Sequence, residues 1–351
     1  MSNTDIKYLT LSQEDLINAG AFDMKLAIQA LKNGLFKFKD NKILFPDKIV
    51  QIFKEETQER INCLPATLLE DKICGVKWVS VFPPNPRRFG VQNLSAIIVL
   101  SEIEKGFPVC VMDGTLCSNM RVAAMGSAAA EVLSREDSQS IGFIGAGEQA
   151  KMHLLGMKSV RPSLKVCKVA AVSEAEELAF IRDLSPLLPD MTFVSCKTVL
   201  KDAIVDSDII VTATSAQAPL LKAEWIKKGA FYSHIGGWED EYDVVKMADK
   251  IVCDDWETVK HRTQTVSRCY KDGIITDDHI YGNLIDILSG EKKGRENDDE
   301  FIYFDAVGLA YVDVSIAHEM YKKAKNAGYG KYTYLQENMI FEKDLAGKVR
   351  F

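Results

Sequence analysis

The residues best suited to chemistry fall into two sets. The first is the stretch Ser140-Ile-Gly-Phe-Ile-Gly-Ala-Gly-Glu-Gln-Ala150, an apolar strand running into the spacing G-x-G-x-x-A. Gly145 permits a tight turn, Gly147 presents bare backbone, and Ala150 lets a following helix pack close to the strand. A helix beginning at Glu148 would aim free amides and its positive dipole end at a phosphate. Gly145, Ala146, Gly147, Glu148 and Gln149 are therefore candidate dinucleotide contacts. The bare pattern also fits an ordinary glycine turn; the strand before it, the helix after it and a second strand–helix unit downstream favour the dinucleotide.

The second set is charged. Lys77 interrupts an apolar strand over 73–81, where its ammonium either meets an anion or leaves through an exposed strand face. Arg121 reads as opening an Ala-rich helix over 120–133. A cation is unfavourable at that dipole end, so an anionic partner such as a carboxylate gripped bidentately competes with a plain surface arginine. Asp313 precedes an apolar helix, as an N-cap or as an acid–base group. Lys48 begins a strand and says little alone.

Two strand ends extend the first set. The strand over 208–213 leads into Thr212, Thr214 and Ser215, and the strand over 230–235 into Ile235 and Gly236. In open α/β sheets ligands lie at the carboxyl ends of strands, so these are candidate cofactor contacts, with a tight loop as the plain alternative. The ribose-reading residue of dinucleotide sites ends the second strand, read here as 166–172, which places Ser173 and Glu174 there. Glu174 suits ribose hydroxyls, Ser173 does not repel a 2′-phosphate, and no arginine stands beside them. NAD(H) is expected, with NADP(H) not excluded.

The elements that must position these residues change rhythm along the chain. Short β-rich runs separated by turns fill the first third and read as an antiparallel sheet preceded by helix. From about residue 120, strands and helices alternate as in a parallel Rossmann-type sheet. The fold class is therefore α/β, with a dinucleotide domain at 120–311 and an α+β substrate and dimerisation domain built from 1–119 with 312–351. The length of 351 residues suffices for two cores. A net charge of −7 without a basic run argues against nucleic acid. No apolar run approaches the ~20 residues of a membrane span. The polar, acidic start is unlike a signal peptide, and eight cysteines without a C-x-x-C read as free cytoplasmic thiols. The five histidines show no metal-ligand spacing, so no metal is expected.

Over nearly its whole length the chain resembles the ornithine cyclodeaminase/mu-crystallin family. The resemblance is carried by Leu64-Pro65-Ala66, Gly75-Val76-Lys77-Trp78, Met120-Arg121, the glycine loop, Ile210-Val-Thr-Ala-Thr214, Ile235-Gly-Gly and Gly308-Leu-Ala-Tyr-Val-Asp313. It implies NAD(H) or NADP(H) in a central Rossmann domain and a homodimer formed through the N-terminal region. It also implies an amino-acid substrate served by Lys77 and Arg121, with a basic residue near Lys48 on a substrate carboxylate. Asp313 would accept a proton or orient Lys77. Family cyclodeaminases carry an aspartate directly after the glycines matching Gly236-Gly237; here that position is Trp238, followed by Glu239, Asp240 and Glu241, which puts ornithine cyclisation in doubt. The pieces Lys77-Trp78-Val79 with Asn85-Pro86, Asp249 to Trp256 and Gly294 to Glu300 look closer to the branch containing N-(2-amino-2-carboxyethyl)-glutamate dehydrogenase of siderophore-precursor synthesis. That implies oxidation of a secondary amine by NAD+, then hydrolysis of the imine to 2,3-diaminopropionate and 2-oxoglutarate. Ketimine reductase, alanine-type dehydrogenase and ornithine cyclodeaminase are alternatives, as is a crystallin-like protein that only binds NAD(P)H.

Overall fold

The computed structural model describes residues 5–337 and 346–350. They divide into two compact units: one holds the residues up to Asp23, Asp40–Ser118 and those from Asp313 on, the other Met24–Lys39 and Asn119–Val312. The helix Met24–Lys39, read from sequence with the N-terminal domain, groups with the second unit. There it meets the helices Glu148–Val160 and Leu284–Leu288. Its buried face is Ala27, Ile28, Leu31, Gly34 and Leu35, at helical spacing.

In the first unit eight strands form one sheet. Their order is Lys331–Gln336, Ile6–Leu11, Pro108–Asp113, Leu94–Glu102, Ile73–Val81, Glu59–Leu68 and Ile43–Leu44, with Ile49–Lys54 also paired to Glu59–Leu68. The sheet is mixed rather than wholly antiparallel, because Ile6–Leu11 runs parallel to Pro108–Asp113. Chain from near the C-terminus returns to this sheet, as Lys331–Gln336 pairs antiparallel with Ile6–Leu11. The alternation of apolar residues sorts the two faces. Leu64, Lys77 and Ile98 form one buried row across three strands, and Ala66, Gly75 and Leu100 form the next. The helix Ala310–Asn326 lies against this face from Asp313 on. A side chain at Gly75 would meet Val314 at 2.9 Å, so glycine makes that close approach possible. The other face leaves Trp78 and its cross-strand partner Ile97 about half exposed.

The second unit is an all-parallel eight-stranded sheet. Its order is Thr192–Ser195, Val166–Ala170, Ser140–Ile144, Ile209–Thr212, Phe231–His234, Ile302–Asp305, Lys250–Cys253, Ile280–Asn283. The inner strands from Ser140–Ile144 to Lys250–Cys253 are almost wholly buried, as expected when both faces of a parallel sheet are covered, while the edge strands Thr192–Ser195 and Ile280–Asn283 are only partly so. The winding reverses between Ser140–Ile144 and Ile209–Thr212, which opens a crevice at their carboxyl ends. A two-stranded ribbon, Gln217–Leu221 with Trp238–Asp240, completes the unit. Three local expectations change. The Ala-rich helix starts at Thr115, not 120, so Arg121 sits in its second turn and feels no opposing dipole end. The strand read as 166–172 stops at Ala170. Between the strands read as 208–213 and 230–235, where the alternation calls for a helix, the only helical piece among the described residues is a single short turn at Ala223–Trp225. Among the described residues no helix is long and apolar enough to cross a membrane.

Candidate functional site

At the crevice of the second unit the strand Ser140–Ile144 ends in Gly145, whose φ of +105° only glycine adopts without strain. A side chain there would also lie 2.5 Å from the Ala213 carbonyl, so the turn is pressed against the neighbouring strand end. Gly147 is the opposite case: nothing lies within 4 Å of an added Cβ, and it begins the helix Glu148–Val160 with no side-chain cap. Uncapped amides beside bare backbone are the cradle a pyrophosphate needs. Ala146 and Ala150 are buried beneath it, and Glu148 is exposed. Gln149 donates its amide to Asn119 at 3.1 Å, tying the glycine helix to the Ala-rich helix.

Ser173 and Glu174 lie past the second strand. Ser173 is the N-cap of Glu174–Leu184 and accepts from the Glu176 amide, while Glu174 is exposed in the first turn. Glu177, one turn on, is fully buried and accepts from the amides of Ala171, Lys197 and Thr198 and from the Ser195 hydroxyl. It fixes the loops after the second and third strands.

Thr212, Thr214, Ser215, Ile235 and Gly236 gather at the ends of the next two strands, with Ser215 exposed and Thr214, Ile235 and Gly236 half-buried. The Thr212 side chain is buried beneath them, bonded to Tyr232 and Glu239. Below lies a polar network absent from the sequence reading. Glu239 accepts from the Thr214 amide and hydroxyl, the Thr212 hydroxyl and the Gly236 amide. Asp240 accepts from Thr265 and Tyr303. His234 bonds Asp305 through Nδ1 at 2.8 Å, and its Nε2 lies 3.6 Å from Asp240 and 3.7 Å from Glu239. Burial alone would hold His234 neutral, but the charge and hydrogen bond of Asp305, with Asp240 and Glu239, lift its pKa to about 9. Burial pushes Asp240 up to about 6, against the charge of His234.

Arg121 lies over Gly308, whose φ is +84° and whose added side chain would meet the guanidinium at 2.1 Å. That backbone is held by Asp254, which accepts from the Val307 and Gly308 amides. Burial drives the Asp254 carboxyl up to about 7. Burial also lowers His153, in the glycine helix, to about 4, and the charge of Arg121 adds to that.

In the first unit Lys77 faces inward and is 1% exposed. Its ammonium donates to Asp313 Oδ1 at 2.6 Å. Asp313 lies within the helix begun at Ala310 and is not its cap. Lys48 directly precedes Ile49, where a strand begins that pairs with Glu59–Leu68, which in turn pairs with the strand of Lys77. The structure thus brings Lys77 and Asp313 into contact and leaves Lys48 just before a strand two removed from that of Lys77. Glu239 and Asp240 were missed because acidic residues after glycines read as a solvated turn, whereas Asp254 and Asp305 stand at the ends of short apolar strands, which was the available signal.

A model of the ornithine cyclodeaminase/mu-crystallin family matches residues 12–328. The N-((2S)-2-amino-2-carboxyethyl)-L-glutamate dehydrogenase of Staphylococcus aureus is 26% identical over 92% of this chain and 97% of its own. The structure of Thermococcus litoralis Delta(1)-pyrroline-2-carboxylate reductase in complex with NADH and L-proline superposes with a TM-score of 0.87 at 30% identity, covering 92% of this chain and 99% of that one. An archaeal alanine dehydrogenase dimer with bound NAD gives 0.84 at 28% identity, covering 94% of this chain and 100% of that one.

Proposed function

The chain belongs to the ornithine cyclodeaminase/mu-crystallin family, and from that premise we propose that it is an NAD-dependent oxidoreductase that opens the C–N bond of an N-(carboxyalkyl) amino acid. The observation that carries the dinucleotide half is the bare, uncapped backbone at Gly147 beside the left-handed Gly145, a cradle that a side chain would fill. The nicotinamide, when bound, supplies the hydride acceptor. Gly145, Ala146, Gly147 and Gln149 would hold its pyrophosphate, and Thr214, Ser215, Ile235 and Gly236 its other end.

The chain's own residues position the amine and move protons. Arg121 grips a substrate carboxylate through its planar fork, and Lys48 adds a second positive charge. Asp313 holds the Lys77 ammonium in one orientation, and Lys77 exchanges the proton as water adds to the imine carbon. The secondary amine loses a hydride and a proton to become an imine. Water then splits the imine to a 2-oxo acid and a primary amine, so atoms and charge balance. For the branch resembled in sequence these products are 2-oxoglutarate and 2,3-diaminopropionate, a siderophore precursor. Trp238 in place of the family aspartate turns the reading away from ornithine cyclisation. The domain roles follow: Asn119–Val312 binds the dinucleotide, and the sheet unit serves the substrate and dimerises. Eight free thiols favour a cytoplasmic setting.

Mixing the protein with 2,3-diaminopropionate, 2-oxoglutarate and NADH tests this by following loss of the reduced nicotinamide band. Pyruvate with ammonia and Delta(1)-pyrroline-2-carboxylate serve as rivals. Faster NADH consumption with either rival overturns the substrate assignment, and proline formed from ornithine overturns it also.

A further inference from the structure

Resting on the dinucleotide reading above, we propose that Glu239 is the positioning residue of the nicotinamide end: its buried carboxylate locks the two strand-end loops and places there a negative charge that favours the oxidised, cationic ring over the reduced one. The geometry is specific. One oxygen accepts from the Thr214 amide and hydroxyl, both at 2.6 Å, and the other from the Gly236 amide and the Thr212 hydroxyl, both at 2.8 Å. Two loops from neighbouring strands are thus joined by one side chain. A Cβ on Gly236 would lie 2.4 Å from the carboxylate, so glycine at 236 is what lets Glu239 in.

The charge is not cancelled locally. Glu239 is 0% exposed, and no lysine or arginine is among its hydrogen-bond or ion-pair partners in the described residues. Its ion-pair partner among the described residues is His234, whose Nε2 stands 3.7 Å away and which is shared with Asp305 and Asp240. Three carboxylates around one imidazole leave a net negative nest under the carboxyl ends of Ile209–Thr212, Phe231–His234 and Ile302–Asp305. All four side chains are fully buried, so the field reaches the crevice with little screening. A fixed anion stabilises a cationic ring and does nothing comparable for the neutral reduced ring.

The test compares dissociation constants of NAD+ and NADH, by calorimetry or fluorescence, for the whole protein and two variants. Glu239→Gln keeps the shape and removes the charge; its NAD+ affinity should fall about fivefold to tenfold more than its NADH affinity. Glu239→Asp keeps the charge but cannot span both loops; both affinities should weaken together, with their ratio within about twofold of the parent. The Asp variant stands as a test by itself if the Gln variant does not fold: unchanged affinities, or a shifted ratio, would overturn the proposal. Proportional weakening of both forms in Glu239→Gln would reduce Glu239 to a structural residue. A parent protein that binds neither dinucleotide would instead defeat the cofactor reading, and this inference with it.

Discussion

The Lys77 ammonium donates to Asp313 Oδ1 at 2.6 Å across 236 residues of sequence, with both side chains almost completely buried. A charge removed from water is tolerated only when paired, so each residue explains how the other can be there. Removing one partner takes a charge-paired hydrogen bond from a buried group. Lys77→Ala should lower stability by about 3–5 kcal/mol and turnover by at least about a hundredfold, while dinucleotide affinity survives. The double variant Lys77→Met with Asp313→Leu should recover much of that stability in a denaturant melt and none of the turnover. Near-normal turnover in Lys77→Ala on the identified substrate would remove it from the mechanism.

Arg121 and Gly308 should behave as one unit. Arg121→Ala is expected to reduce turnover about a hundredfold, and Arg121→Lys to rescue little, because an ammonium cannot replace a planar fork. Gly308→Ala forces a side chain into the guanidinium and a strained φ, so it should raise KM for the amino acid in the same direction. Steady-state kinetics of the three variants checks this; a Gly308→Ala enzyme with parental KM would mean that the guanidinium placement is unimportant.

The cofactor preference turns on Ser173. Its hydroxyl caps a helix, no arginine adjoins it in sequence, and exposed Glu174 follows. NADH should bind more tightly than NADPH in a fluorescence titration. The reverse order would make Ser173 a phosphate contact.

His234 gives stability a pH signature. Its folded pKa of about 9 lies above the unfolded value near 6.5. The histidine therefore contributes fully below about pH 6.5 and loses that contribution as pH rises through about 9. The stability gap between parent and His234→Gln should shrink by roughly 3 kcal/mol over that window in urea melts, as an order of magnitude. A flat gap would show that the imidazole is neutral in the fold.

The exposed pair Trp78 and Ile97 lies on the sheet face opposite Lys77. Light scattering at micromolar concentration should give a dimer for the parent. Trp78→Lys with Ile97→Glu, an oppositely charged cross-strand pair that the sheet tolerates, should give a monomer. A parent of monomer mass would discard the dimer.

Local sequence by itself determined the alternation of strands and helices after residue 120, the glycine turn at Gly145 and Gly147, and the inward–outward rhythm of the N-terminal strands. These rest on periodicity and on glycine's lack of a side chain, both properties of neighbouring residues. Tertiary structure decided what depends on distant partners. Lys77 faces the core because the helix carrying Asp313 returns to that sheet face, a choice that alternation alone leaves open. Arg121 leaves the helix end because Thr115 to Asn119 are helical. Glu239 turns inward because Thr214 and Gly236 offer it amides. A buried carboxylate and a solvated one are the same letter in sequence, and only the groups folded around it distinguish them.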